Sequence, residues 1–318
     1  MKKQLNNTEL YKIAAKNLGL KVERVQKKER KNWEVLMISK GKKFLLVSGA
    51  APGLFPEVSR WNAYMSGRKI LAQQILVKIG YNTIPTKEIV ISDFTSAKAL
   101  CDHISIKKYK YPVLIKRNKG QNANMIRLAE TNAQIQKIAR VHFASKSDFM
   151  IQPILDQNEY RILIVNGTVV LLHSKENRFV VGDGNSTIKQ LLAEIPAVKK
   201  DEVFEAWQHK KQGTKPSTVL SNGERFYFHL TKIPSTDVYE TKKIPPAVQK
   251  WASQLSKDLS APVIGLDVFI PGDFKDTESY TIIEINSNPG VHYLAKDCND
   301  NQSAVLIYEK VLKDFFKK

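Results

Sequence analysis

Apolar residues recur at helical spacing in several stretches of the chain. In residues 10–18 they lie on one face until Gly19 ends the pattern, and Ser66 is a suitable N-cap for a helix that Gly80 ends. Pro245 and Pro246 introduce a further helix, because proline suits the first helical turn. The predicted helices are 10–18, 66–79, 95–106, 132–142, 246–259 and 304–316.

Short runs that are rich in β-branched residues, or that alternate apolar with polar ones, lie between the helices. Two of them flank Asn166 and Gly167, a dipeptide typical of a two-residue hairpin turn. Residues 49–60 have the composition of a linker, and residues 196–222 that of a polar loop. The predicted strands are 21–25, 34–39, 43–48, 88–91, 111–116, 149–152, 160–165, 169–173, 263–270 and 280–286. Because strands and helices alternate without a strict βαβ period, the pattern predicts a mixed α+β protein.

The composition supports a folded protein. The 318 residues are 42% hydrophobic and 25% charged, which excludes wholesale disorder. No apolar run approaches the ~18 residues of a membrane span, and the first seven residues lack the apolar core of a secretory signal. Cys101 and Cys298 cannot form a disulfide framework. We therefore expect a reduced, cytoplasmic protein without a membrane partner.

The charge is strongly basic, with 50 Lys+Arg against 31 Asp+Glu and a formal net charge of +19. Residues 1–60 alone hold 14 Lys+Arg against 5 Asp+Glu, although these are interleaved with predicted helices and strands rather than gathered in a tail. An excess of this size is typical of proteins that bind polyanions, but it also keeps an ordinary surface soluble. The charge leaves both interpretations open.

Candidate metal ligands lie in the last two predicted strands. Side chains alternate along a strand, so Glu284 and Asn286 point to one face while Ile283 and Ile285 pack on the other. If the two strands are neighbours, Asp267 joins the first pair. Two carboxylates and an amide oxygen suit Mg²⁺, which binds through few protein oxygens and retains water and phosphate ligands. Solvated acidic residues at strand ends are the alternative.

Three basic residues are candidates for contacts with phosphate. Lys69 lies in the first turn of the helix after Ser66, and Lys116 closes a predicted strand and opens a loop. Arg161 lies in a strand with the pattern of a buried one, where a guanidinium requires an anionic partner. Each has an ordinary structural alternative: exposure for Lys69, a carboxylate partner for Lys116 and a salt bridge for Arg161.

Taken together and in this order, these segments resemble the ATP-grasp carboxylate–amine ligases over roughly residues 60 to 295. The segment 178–188, with Gly182-Asp183-Gly184 at its centre, is similar to a signature shared by cyanophycin synthetases and the ligase half of bifunctional glutathione synthetases. As a bare sequence Gly-Asp-Gly is only a tight turn. The segments that carry the resemblance are 66–71, 111–116, 159–161, 178–188, 265–267 and 282–290.

The resemblance implies how a nucleotide is held. Lys69 and Lys116 would neutralise the phosphates of ATP, and Gln152 would lie at the adenine cleft, where relatives commonly have glutamate. The loop 117–125 corresponds to a lid that is rich in glycine in relatives. Here it has one glycine, Gly120, as a candidate phosphate contact.

The resemblance also implies the chemistry. Asp267, Glu284 and Asn286 would bind Mg²⁺, with Mn²⁺ as an alternative, and Arg161 and Arg178 would stabilise an acylphosphate and a tetrahedral oxyanion. The implied fold is the ATP-grasp fold, in which two α+β subdomains grip ATP, preceded by a small basic N-terminal α/β module. The expected division is 1–64 for the module and 65–318 for the ATP-grasp domain, with a nucleotide lid at about 85–155 and a catalytic subdomain at about 156–318.

The predicted function is an ADP-producing ligase that acts on an amino acid or an acidic peptide. The acidic preference is suggested by basic residues around the lid loop and in 199–215, for which a solvated surface is an equal explanation. One alternative is a basic nucleic-acid-binding protein, which the lack of a recognised module disfavours, and another is an ATP-grasp kinase-like or regulatory relative without ligase activity. A homodimer is compatible with the sequence.

Overall fold

The computed structural model describes residues 5–25, 35–48, 60–119, 126–155, 157–195, 202–239, 243–287, 289, 291 and 301–317. The chain forms two compact units. Unit 1 comprises residues 1–83, 157–175 and 234–318, and unit 2 comprises residues 84–156 and 176–233. Among the described residues, none of the helices combines the length and the apolarity that a bilayer crossing requires.

The elements follow one another without a repeating βαβ order. The helices are α1 (Asn7–Asn17), α2 (Arg60–Ser66), α3 (Lys69–Lys78), α4 (Ala97–Ser105), α5 (Asn132–Ala144), α6 (Ile188–Ala193), α7 (Glu202–Gln212), α8 (Pro246–Asp258) and α9 (Asn301–Lys317). The strands are β1 (Lys21–Arg24), β2 (Val35–Lys40), β3 (Lys43–Ser48), β4 (Lys87–Ile89), β5 (Val113–Arg117), β6 (Arg127–Ala129), β7 (Phe149–Pro153), β8 (Glu159–Val165), β9 (Thr168–Val181), β10 (Arg225–Tyr239), β11 (Val263–Phe269) and β12 (Thr281–Asn286).

These strands form three sheets. Their orders are β1-β2-β3, β10-β9-β8-β11-β12 and β4-β7-β5-β6. The pairs for which the register is described are antiparallel. Asn166 and Gly167 join β8 to β9 with φ of 49° and 73°, as expected of an Asn-Gly hairpin turn.

In unit 1 the two faces of the sheet β9-β8-β11-β12 are covered differently. One face packs on α3 and α8 through a core that includes Leu76, Leu255, Leu266 and Ile285. On the other face, one end of the strands packs on α1, β2, β3 and α9. Further along the strands, that second face carries the polar side chains of Arg161, His173 and Asp267 instead. This end of the sheet is the candidate site.

In unit 2 the sheet β4-β7-β5-β6 has one face on α4 and α5. Alternate residues of the strands, such as Val113, Ile115, Phe149 and Ile151, point into this core. The residues between them face the other side. A smaller core forms around α6, the end of β9 and the start of β10.

Two local expectations were wrong. Ser66 does not cap a helix: it ends α2, and the N-cap of α3 is Arg68. Ile283 is only half-buried, whereas Ile282 lies in the core, because an irregularity in the pairing with β11 breaks the alternation.

Longer segments also differ from the prediction. Residues 196–222 are not a continuous loop, since they contain α7, whose side chains Phe204 and Gln208 are buried. β9 continues to Val181, well past the predicted end at residue 173, and β6 and β10 were not predicted. The predicted linker 49–60 lies almost entirely outside the described residues.

The division into an N-terminal module, a lid and a catalytic subdomain stays a prediction. The first part of unit 2, Ile84–Asp156, corresponds to the expected lid. The compact units place Glu176–Ile233 with that segment and place residues 1–64 in unit 1.

Candidate active site

Four side chains form a row across the sheet of unit 1. β11 and β12 are neighbours, and Asp267 lies directly opposite Glu284. On its other side Asp267 lies opposite Arg161 of β8, which lies opposite His173 of β9. Residues that are directly opposite in an antiparallel pair share a face of the sheet. The register therefore brings together Arg161, Asp267 and Glu284, three of the residues predicted to act in the site.

Asn286 extends this face along β12. It lies opposite Gly265, the neighbour of Asp267 on the same face. A Cβ at Gly265 would lie 2.8 Å from Cβ of Pro289 and 3.4 Å from Nη1 of Arg161. Since contacts below 3.0 Å force a neighbour to move, the missing side chain at Gly265 makes room for Pro289 beside the guanidinium of Arg161.

Asp267 is buried, with 9% of its side chain exposed, and two cations compensate its charge. Nε of Arg161 lies 3.1 Å and Nζ of Lys175 lies 3.3 Å from the same oxygen, Oδ1. Both are ion pairs without the alignment of a hydrogen bond. Nη1 of Arg161 is also buried and has no hydrogen-bond partner among the described residues. A buried donor of this kind favours an anionic ligand.

Lys175 belongs to the same arrangement of charges, although it was not among the predicted residues. Its Nζ lies 2.5 Å from Oε1 of Glu159, which is directly opposite on β8. Burial lowers the pKa of Lys175, but Asp267 and Glu159 outweigh burial and hold that pKa above its ordinary value. Alternation beyond residue 173 would have placed Lys175 on the face of His173. We call Glu159, Arg161, Lys175 and Asp267 the buried charge cluster.

Lys69 is the first residue of α3, and α3 packs against β12. Its Nζ donates to Oε1 of Glu284 over 2.6 Å, and 18% of the lysine side chain and 28% of the glutamate side chain are exposed. Each carboxylate of the predicted metal site thus has a cationic partner within unit 1. α3 holds the ammonium group of Lys69 in place, and β12 holds the carboxylate of Glu284.

His173 ends the row and is neutral near pH 7. Burial lowers its pKa to about 4, and the positive charges of Arg161 and Lys175 act in the same direction. Its Nδ1 lies 3.0 Å from the carbonyl oxygen of Ser174. A neutral imidazole is what a site with two neighbouring cations requires.

In unit 2, Lys116 and Gln152 lie on one face of the sheet. Lys116 is opposite Met150, and Gln152 is opposite Leu114, which is two residues from Lys116 on the same strand. This is the side away from the core on α4 and α5. We call the side chains of Leu114, Lys116, Met150 and Gln152 the Gln152 face.

Hydrogen bonding fixes the amide of Gln152. The hydroxyl of Thr86 donates to the carbonyl oxygen of Ile84 over 2.8 Å, so its oxygen accepts from Nε2 of Gln152 over 2.8 Å. Oε1 of Gln152 therefore points away from Thr86. This oxygen is buried and has no hydrogen-bond partner in the described part of the chain. It is an acceptor that suits a ligand N–H group.

Gly120 and Arg178 are the remaining two residues that were predicted to act in the site. Gly120 lies outside the described residues. Arg178 is half-buried on the part of β9 that belongs to unit 2. Its relation to Arg161 stays a prediction.

The Gly182-Asp183-Gly184 segment forms a tightly built turn in unit 2. A Cβ at Gly182 would lie 2.3 Å from the carbonyl oxygen of Ser221, so only glycine fits. Hydrogen bonds from Ser186 lower the pKa of Asp183 to about 2. Thr187 is the N-cap of α6. The geometry explains these residues as a structural turn.

The donor set of Asp267, Glu284 and Asn286 fits a hard divalent cation. Two carboxylates and an amide oxygen are the ligand types of Mg²⁺, and Oδ1 of Asp267 is buried without an aligned hydrogen bond. Among the described residues, no group of three or more His, Cys, Asp or Glu forms a metal site. Any site here therefore depends on the amide of Asn286 or on groups from a ligand.

No family model matches the chain. It is 27% identical over 175 residues to the glutathione biosynthesis bifunctional protein of Clostridium perfringens, covering 49% of this chain and 22% of that protein. It is 26% identical over 203 residues to the cyanophycin synthetase of Geminocystis herdmanii, covering 57% of this chain and 23% of that protein. The chain thus spans about a fifth to a third of the length of the curated relatives it matches.

A solved structure shares the fold. The bifunctional glutathione synthetase from Pasteurella multocida superposes with a TM-score of 0.52 at 18% identity, covering 92% of this chain and 42% of that one. The likeness confirms the expected α+β, ATP-grasp fold, and the relatives confirm the resemblance to bifunctional glutathione synthetases and cyanophycin synthetases. The chain is similar to ligases in both sequence and fold.

Proposed function

We propose that this chain is an ATP-dependent carboxylate–amine ligase that forms an amide or peptide bond through an acylphosphate. The observation that carries the proposal is the row of Arg161, Asp267 and Glu284 on three adjacent strands. The row places hard oxygen ligands for a metal next to a cation that can stabilise developing negative charge, and phosphoryl transfer requires both. The names of the relatives support the same class of reaction.

In the proposed reaction, a carboxylate oxygen of one substrate attacks the γ-phosphorus of ATP, and ADP leaves. The amine nitrogen of the second substrate then attacks the carbonyl carbon, and phosphate leaves with formation of an amide and loss of a proton from nitrogen. Arg161, whose Nη1 has no partner among the described residues, would stabilise the negative oxygens of both stages. We assign Arg178 to the same task.

Asp267, Glu284 and Asn286 would hold Mg²⁺, with Mn²⁺ as an alternative. A bound ion of this kind offsets the charge on phosphate oxygens. Lys69 pairs with Glu284 over 2.6 Å in this structure, and it would turn to a phosphate once the carboxylate has another cation. This exchange keeps Glu284 compensated with and without nucleotide.

The nucleotide is proposed to lie against the Gln152 face. Lys116 would contact phosphate, Gly120 would contribute its backbone, and Oε1 of Gln152 would accept from the amino group of adenine. The support is the fixed orientation of the Gln152 amide, which leaves a buried acceptor.

The proposed substrates are amino acids or acidic peptides. Unit 2 exposes lysines in two segments, and a basic surface attracts acidic substrates. A cytoplasmic location goes with this proposal. The exposed lysines of unit 2 that support it are Lys107, Lys108, Lys110, Lys119, Lys210, Lys211 and Lys215.

The test is incubation of the full chain with ATP, Mg²⁺ and pooled amino acids and acidic dipeptides, with quantification of ADP, AMP and phosphate and product identification by mass spectrometry. We expect equal amounts of ADP, phosphate and a new amide, with a loss of about 1000-fold in Glu284→Gln because metal-assisted charge stabilisation is removed. Glu278→Gln, which changes an exposed glutamate of the same unit, should retain wild-type rates. AMP as product, or a phosphorylated product without an amide, would contradict the proposal.

A further inference from the structure

Lys175 has no part in the reaction proposed above, yet it is one of the most closely held cations of unit 1. Only 15% of its side chain is exposed, and it contacts Glu159 over 2.5 Å and Asp267 over 3.3 Å. Burial of an ammonium group is costly unless carboxylates compensate it. A lysine in this position therefore needs an explanation beyond surface charge.

The contacts of Lys175 converge with those of Arg161. Both cations contact Oδ1 of Asp267, Lys175 from β9 and Arg161 from β8. A carboxylate that is held through one oxygen from two strands has a fixed side-chain orientation.

We propose that Lys175 is a positioning residue, which together with Arg161 fixes the Asp267 carboxylate in the orientation that binds the divalent cation. This inference rests on the proposed function. Residues that orient metal ligands change metal affinity by about 10- to 100-fold when they are replaced. Glu159 in turn holds the ammonium group of Lys175 from the opposite strand.

The competing explanation is that Lys175 only neutralises Glu159. Replacement of Lys175 alone cannot separate the two, because it leaves an excess negative charge that itself attracts a cation. The pair of substitutions Glu159→Gln and Lys175→Met removes one charge of each sign and leaves Arg161 on Asp267. If Lys175 acts only on Glu159, this double variant is equivalent to the wild type.

The experiment is a titration of the full chain with Mn²⁺ in the presence of ADP, with free Mn²⁺ measured by electron paramagnetic resonance. The expected result is Mn²⁺ binding about tenfold weaker in E159Q/K175M than in the wild type. The Mn²⁺ affinity of E159Q, which retains Lys175, should stay within about threefold of that of the wild type. K175R retains a cation for Asp267, so it should bind Mn²⁺ at least about threefold more tightly than E159Q/K175M.

Cooperative thermal unfolding, followed by circular dichroism, checks that each variant is folded. E159Q/K175Q, whose two amides can pair across the strands, replaces the methionine variant if that variant does not unfold cooperatively, and the same weakening is expected. Wild-type Mn²⁺ affinity in the folded double variant would overturn the inference and leave the proposed function standing. Absence of Mn²⁺ binding with ADP in the wild type would overturn both.

Discussion

The buried charge cluster and the Gln152 face both hold polar groups away from water, but they compensate those groups in different ways. In the cluster, each buried charge has an opposite charge within 3.3 Å, supplied by the register of three strands. On the Gln152 face, a neutral amide is oriented by Thr86 and retains one buried acceptor without a partner. Removal of a compensated charge lowers folding stability, because its charged partners are left without an opposite charge. Removal of a neutral group with an open acceptor lowers mainly the affinity for the ligand that would donate to it.

The largest effect is expected at Asp267. Asp267→Asn would leave the half-buried cations Arg161 and Lys175 without the anion that they share, so we expect a loss of about 3 kcal/mol of unfolding free energy. ADP formation should fall at least about 1000-fold, because a proposed metal ligand is lost. Urea unfolding and an ADP assay measure the two effects.

The control for this substitution is an exposed ion pair of the same unit. Asp273 pairs with Lys275 over 2.6 Å, and 64% of the aspartate side chain is exposed. Asp273→Asn should leave the unfolding free energy close to the wild-type value, because exposed ion pairs contribute little to stability. Similar losses in both variants would show that burial and pairing do not distinguish Asp267.

The next effect is expected at Gly265, where the cluster depends on a missing side chain. Gly265→Ala places a methyl group 3.4 Å from Nη1 of Arg161 and only 2.8 Å from Cβ of Pro289, a distance so short that the packing of Pro289 on β11 must shift. Since displacements near 1 Å at a reacting group cost about 100-fold in rate, we expect kcat to fall by about 10- to 100-fold. Steady-state kinetics with ATP measure the change.

Gly67→Ala is the matched control, because a Cβ there meets only the carbonyl oxygens of Ala63 and Tyr64, at 3.5 and 3.7 Å. These are ordinary contacts, and kcat should be retained. An unchanged kcat in Gly265→Ala would mean that the chemistry does not depend on the packing of Pro289 and Arg161.

The two regions differ in how far the sequence could predict them. The alternation of residues 284 to 286 placed Glu284 and Asn286 on one face, and the structure adds Asp267 opposite Glu284. Lys175 was missed because the predicted strand ended at 173, although β9 runs to Val181. Side-chain alternation is local, but strand length depends on pairing with a distant neighbour, and the pairing of β9 with β8 reaches as far as Lys175.

Helix α7 likewise depends on contacts with distant parts of the chain. Its polar, lysine-rich sequence gives a weak local signal, yet Phe204 and Gln208 are buried. The mean propensity of such a segment does not reveal that two side chains find a tertiary surface. The sequence could not predict the amide orientation of Gln152 either, because that orientation depends on a hydrogen bond to Thr86 from another segment.

A smaller effect concerns pH and the neutral end of the row. The pKa of His173 is about 4 in the folded chain against 6.5 for the ordinary side chain, so protonation below pH 6.5 favours the unfolded state. The stability from this group is complete above pH 6.5 and declines as the pH falls towards 4. Between pH 7 and pH 5 the loss amounts to about 2 kcal/mol.

The measurement is urea unfolding of the wild type and His173→Asn at both pH values. Other groups also titrate in this range, so the quantity that matters is the difference between the two proteins. We expect the wild type to lose about 2 kcal/mol more than His173→Asn. Equal losses would mean that His173 is not kept neutral by burial and by Arg161 and Lys175.

The smallest effect is expected on the Gln152 face. Gln152→Met retains the shape and removes the open acceptor, without leaving a buried charge behind. We expect stability to change by about 1 kcal/mol at most. KM for ATP should rise about tenfold with kcat nearly unchanged, because the proposed hydrogen bond to the adenine amino group is lost.

Purine selectivity makes this prediction specific to Oε1. Guanine presents a carbonyl oxygen where adenine presents an amino group, so the wild type should discriminate against GTP and Gln152→Met should discriminate less. Gln152→Glu supplies the matched control, since a carboxylate oxygen also accepts and should preserve the preference for ATP. A tenfold rise in KM for ATP and GTP alike would place the effect of Gln152 in the packing of β7. A selective loss for ATP would instead identify Oε1 of Gln152, a buried acceptor without a partner among the described residues, as the group that recognises the base.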